Sequence, residues 1–228
     1  MLVKNLVNCY QESEFIFFGQ QLVILYENYS LPDDVFRKYV DQFLQLLYRY
    51  TGMYIESNDD IRQLPSNERS IRIYNAVENI SCLTGIFAIH HCQLLKLEIF
   101  RQIMESKYGS KTVDIHLWSG KYFDSNILLI KLAVSLYAFS ESLSNDSIHS
   151  IEIFEIQNKY AEVTWKYLVY RYGYFQAIQQ FLSIVECLCS INVLKYHARN
   201  LVLHRNDVAT ITEQMELNFI LDDVEQVI

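Results

Sequence analysis

The side chains best able to do chemistry in this sequence are its histidines and cysteines, and their spacing argues against a shared centre. His90, His91 and Cys92 are consecutive. Adjacent residues point to different sides of a helix, so these three cannot close on one ion. His197 and His204 are two helical turns apart, about 10 Å of rise, too far to share a metal. Zinc needs three or four converging ligands, so neither a metal site nor a cofactor is expected. The five cysteines, at 9, 82, 92, 187 and 189, are odd in number and dispersed, a pattern of reducing compartments rather than of a disulfide framework. A Gly-rich phosphate loop, HExxH, GxSxG and paired carboxylates beside a histidine are all missing. No catalytic residue is assigned, and an enzyme is not expected.

Charge and composition narrow the remaining options. The net charge is −8, and an acidic surface repels phosphate, so direct nucleic-acid binding is not expected. Six Gly and two Pro stand where average usage would place roughly 27 such residues. Turns need those residues, so the chain must consist of long helices and few connections. The 17 tyrosines supply bulk with one hydrogen bond each, suited to half-buried helix faces.

The elements that follow are mostly helical. Short helices are read at 2–10 and 15–28. Pro32, Asp33 and Asp34 open a helix to about 54, with Phe36, Val40, Phe43, Leu47 and Tyr50 at helical period. Pro65 and Ser66 precede a helix over 67–89, apolar on several sides and so placed in the core. Another helix spans 92–107. The alternation Val113, Ile115, Leu117 within 109–123 predicts a short β-hairpin. Ser125 caps a helix over 126–140, a polar loop follows at 144–147, and a helix from 148 ends at Arg171, Tyr172 and Gly173. A long helix is predicted over 174–204 and an amphipathic one within 209–228. No repeat or Pro/Gly-rich linker divides the chain, which reads as one domain over 1–228. No secretory signal is visible, and the apolar stretch at 126–139 is short for a membrane span and contains Lys131.

Within that order, several segments resemble the ligand-binding domain of nuclear receptors. ILLIKLAVSLYAFS resembles the family's helix before its Ser/Pro/Asp loop. IQNKYAEVTWKYLVYRYG carries Gln157, Tyr160, Tyr167, Arg171 and Tyr172 in matching places. FLSIVECLCSIN resembles the family's dimer-interface helix, with Leu182, Val185, Leu188, Ile191 and Asn192 in place and Cys189 where Arg is usual. Over 43–83 the likeness is looser: Ile61, Leu64, Glu68, Arg69 and Ile73 fall on the family signature, whereas Glu56, Arg72 and Tyr74 depart from it.

The resemblance implies an all-α, three-layer antiparallel helical sandwich of about ten helices with one short β-hairpin. It implies a small apolar, lipid-like or steroid-like ligand and regulation of transcription through protein partners, in nucleus or cytoplasm. Phe43, Leu46, Leu47, Tyr50, Ile80, Leu83 and Phe87 are the expected ligand contacts, with plain core packing as the alternative. A homo- or heterodimer is expected through 174–204, using Phe181, Val185, Leu188 and Asn192. The alternative is that this stripe packs inside its own domain. A coregulator peptide would dock at a groove marked by Glu56, Arg69, Ile220, Leu221 and Asp223. There Glu56 replaces the lysine that caps the peptide helix, and Glu225 interrupts the final apolar pair. No membrane contact is expected. The competing readings are a helical interaction protein with a filled core and no ligand, and an unrelated helical bundle.

Overall fold

Two prolines mark the starts of two long helices. Pro32 precedes α2 (Asp33–Ser57), whose first-turn Asp33 and Asp34 meet the positive end of the helix dipole. Pro65 precedes α4 (Ser66–His91). The computed structural model describes residues 12–29, 31–122, 127–140 and 150–225. The described residues form ten α-helices and no strand. Besides α2 and α4 these are α1 (Glu12–Asn28), α3 (Asp59–Arg62), α5 (Glu98–Tyr108), α6 (Ser110–Ser119), α7 (Ile127–Ala138), α8 (Ser150–Tyr172), α9 (Tyr174–Ala198) and α10 (Val202–Glu225). Two 3-10 turns lie at Leu94–Lys96 and Gly120–Tyr122.

Helix α4 is the centre of the packing. Every residue from 76 to 89 is buried, as expected of a helix enclosed on all sides. It packs against α1, α2, α6, α7, α9 and α10. α10 also lies on α2, while α8 packs on both α7 and α9. The buried apolar side chains form one cluster reaching from Phe15 to Phe219. Phe15 stacks on Phe43 at 5.2 Å and Phe139 on Tyr160 at 5.6 Å, joining α1 to α2 and the end of α7 to α8.

Polar side chains pin these helices in register. The Asn58 side chain accepts from the backbone N–H groups of Asp60 and Ile61, capping α3. Its amide donates to the Tyr54 hydroxyl, which donates to Ser135 on α7. Tyr160 of α8 donates to Asp60 at 2.7 Å. Between α4 and α9, the Glu78 carboxylate accepts two hydrogen bonds from Arg199, at 2.7 and 2.6 Å. The Lys195 ammonium donates to Asn79 at 2.7 Å.

Three elements differ from the sequence expectation. The hairpin over 109–123 is absent: residues 110–119 are α6, followed by the turn Gly120–Tyr122. Thr112, Val113, Ile115, His116 and Ser119 are its buried residues, a helical recurrence, and Leu117 is exposed. The helix expected over 92–107 begins only at Glu98, because Gln93 takes a left-handed conformation (φ 57) and the chain makes a 3-10 turn first. The helix expected over 174–204 stops at Ala198, and α10 starts at Val202. The reading at 2–10, the cap at Ser125 and the loop at 144–147 lie outside the described residues.

Candidate functional site

Helix α9 is apolar on two faces, and only one of them is used inside the fold. Ala177, Ile184, Cys187, Ile191 and Leu194 point inward and are buried. On the outer face, Phe175, Ile178, Leu182, Val185, Cys189 and Tyr196 are exposed, Phe175 at 85% and Leu182 at 55%. Their spacing is three, four, three, four and seven. This is the heptad recurrence that keeps one stripe facing a partner helix. Tyr174, exposed beside it, makes edge contacts with Trp165 of α8 and with Phe175. A contiguous apolar face of this kind marks an interaction surface in a folded protein.

Of the expected dimer residues, Val185 belongs to that stripe, and Asn192 holds its heptad position between Cys189 and Tyr196. Phe181 is half-buried with its ring 6.0 Å from Trp165, and Leu188 is also half-buried against the core. Asn192 is exposed, but its Oδ1 accepts from the Tyr137 hydroxyl at 2.8 Å. Its side chain therefore ties α9 to α7. The expected stripe was rotated by about 60° from the exposed one, less than one residue step of 100° around the helix. Among the described residues, α9 is the one helix long and apolar enough to cross a membrane, by length and composition.

A second feature is a partly open cavity of about 60 Å³ between α2, α4, α5, α6, α9 and α10. Leu44, Leu47 and Tyr48 line it from α2, and Cys82, Gly85 and Ile89 from α4. Of the expected ligand contacts only Leu47 lines this cavity. Phe43, Ile80, Leu83 and Phe87 are buried in the core, and Leu46 and Tyr50 are half-buried against it. Sequence reasoning missed the polar wall: Tyr48, Tyr108, Thr112, His116 and His204. The Tyr48 hydroxyl and His204 Nδ1 are hydrogen-bonded at 2.8 Å, which leaves His204 Nε2 facing away from that bond. That nitrogen is buried without a hydrogen-bond partner. The His116 Nδ1–H donates to the Thr112 carbonyl at 2.8 Å. Burial lowers the pKa of both histidines and raises those of the Tyr48 and Tyr108 hydroxyls. Burial also pushes the Cys82 thiol up to about 12, so it is no nucleophile at neutral pH.

Of the residues expected at a coregulator groove, Glu56 and Arg69 lie against the chain's own last helix. Phe219 of α10 is buried beneath the Arg62 and Arg69 guanidiniums, at 5.8 and 5.4 Å from its ring. Asn218 donates to the Glu56 carboxylate at 3.3 Å. Arg69 also donates to the Leu64 carbonyl. Ile220 and Leu221 are exposed. The Asp223 side chain lies outside the described residues.

Among the described residues, no three His, Cys, Asp or Glu side chains gather to hold a metal ion. No family model matches the chain, and neither does any curated protein or solved structure.

Proposed function

We propose that this chain is a dimerising helical module, organised like a nuclear-receptor ligand-binding domain, in which a second copy docks along the outer face of α9. The observation that carries the reading is the exposed heptad stripe from Phe175 to Tyr196. A 25-residue helix spans about 37 Å at 1.5 Å per residue. A stripe of that length, paired about a two-fold axis, meets its own repeat, as an isologous interface requires. Its half-dozen large side chains would bury on the order of 1,000 Å² across both copies, close to the lower bound for a specific dimer. The packing of α4 against α2, α10, α7 and α9, with α8 lying on α7 and α9, supports the layered arrangement that the resemblance implies.

Sedimentation equilibrium tests the reading. The wild-type chain should be dimeric at micromolar concentrations. A Leu182→Glu/Val185→Glu variant should be monomeric with an unchanged helical circular dichroism spectrum, since both positions are exposed in the single chain. A monomeric wild type, or a dimer that survives both substitutions, would remove it. Flotation with neutral phosphatidylcholine vesicles would remove it too, by showing that the stripe seeks lipid.

A second reading, ligand binding, is favoured by the cavity and its unpartnered His204 nitrogen. A bound molecule with a polar group would give that buried nitrogen a hydrogen-bond partner. Drug-sized ligands fill roughly 300–1,000 Å³, so a cavity of about 60 Å³ admits only a small molecule unless side chains give way. Native mass spectrometry would show such a molecule as a discrete added mass. Regulation of transcription through partner peptides would follow from the same resemblance, and would require a peptide to displace Phe219.

A further inference from the structure

A separate cleft of about 340 Å³ opens where the end of α4 meets the Leu94–Lys96 turn, α6 and the Gly120–Tyr122 turn. Its polar walls are Lys96, Lys121, His90, His116 and Gln93, and no carboxylate lines it. This is notable in a chain of net charge −8, where a cation would ordinarily find an acidic neighbour. The Lys96 ammonium donates to the Gln93 side chain at 2.7 Å, which leaves two of its three donors for another acceptor.

The backbone around the cleft is held in place. Gln93 occupies the left-handed region, φ 57, a conformation that non-glycine residues rarely adopt and that concentrates at functional sites. The His90 ring lies directly over Gly120, where a Cβ would come within 2.6 Å of it. The His90 pKa is lowered by burial and then by the positive charges of His91 and Lys96, a sign of unneutralised positive potential. Ile89, Leu95 and Leu117 form an apolar wall. Ile89 and His116 line this cleft and the 60 Å³ cavity alike.

We infer that the cleft binds a small anionic amphiphile, a carboxylate or phosphate monoester with a short aliphatic arm. Lys96 and Lys121 hold the head, and Leu95, Leu117 and Ile89 receive the arm. The volume suits a small-molecule site, and an anion in the cleft would meet the ammoniums of Lys96 and Lys121 with no carboxylate to compete. The inference stands apart from the dimer reading, because none of these residues lies on α9.

Isothermal titration calorimetry on the whole chain with hexyl phosphate, inorganic phosphate and hexanol tests it. Hexyl phosphate should bind, inorganic phosphate more weakly, and hexanol not at all. Lys96→Gln/Lys121→Gln changes two exposed positions, and should weaken hexyl phosphate by about tenfold or more through lost charge-assisted hydrogen bonds. Leu117→Asn, also exposed, should weaken hexyl phosphate and leave inorganic phosphate unchanged, separating the arm from the head. No heat with hexyl phosphate, equal binding by the double lysine variant, or equal affinity for inorganic phosphate would each overturn the assignment.

Discussion

The Glu78 carboxylate is almost fully buried, and both its oxygens are taken by Arg199, which is itself partly exposed. Removing one end of such a pair strands a charge in low dielectric, whereas replacing both ends is often close to neutral. Arg199→Met should therefore lower stability by about 3 kcal/mol, the low end for a broken buried pair because water reaches the arginine. Glu78→Gln/Arg199→Met should lose less than half as much, read from urea midpoints. The buried histidines make a second prediction. Burial lowers the pKa of His204 and His116 below the ordinary 6.5, so the unfolded chain binds more protons just below that value. Stability should therefore fall as pH drops from 7 towards 5.5, and a His116→Gln/His204→Gln variant should show a flatter urea midpoint over that window. At this scale the sequence was hardest to read. Lys195 looks like a solvated residue on an apolar stripe until Asn79 and Glu78 are placed beside it, and they lie far away in the chain.

At the scale of elements, the helices were legible where breakers framed them and illegible where helical period was masked. The start of α2 and the end of α8 follow from Pro32 and Gly173. α6 was misread because Thr112, His116 and Ser119 face inward, so apolarity alone showed an alternation where burial follows 3.6 residues. The break at 199–201 has no Gly or Pro to announce it. The face of α4 that meets the cavity could not be chosen, because residues 76–89 are buried all round the helix. Gly173 links α8 to α9 at φ 76 and ψ 165, a region open essentially to glycine alone. Gly173→Ala should cost about 1–3 kcal/mol although a Cβ there meets nothing within 4 Å. Gly85→Ala is the contrast. Its Cβ would sit 3.6 Å from Leu47, an ordinary contact, within helix α4, where alanine is favoured by about 1 kcal/mol. That variant should melt at or above the wild-type temperature in a calorimetric scan.

For the whole molecule, composition was the most informative line: so few Gly and Pro leave no room for a turn-rich fold, and the described residues are helical throughout their regular structure. Composition also sets how two copies should meet. Each carries a net charge of −8, so the partners repel at long range while the α9 stripe attracts by burial of apolar surface. Among the α9 residues near the stripe, Glu186 is exposed, and the stripe itself contains no cation to bridge it. The two forces respond oppositely to salt. Raising ionic strength from 0.01 to 0.1 M shortens the screening length from about 30 to about 10 Å, which removes the repulsion and leaves the apolar contact. Sedimentation equilibrium should therefore show the dimer tightening as sodium chloride is raised over that range, and tightening little beyond it. A dimer that loosens with salt would mean that ion pairs hold the copies together, and the stripe on α9 would then be the wrong surface.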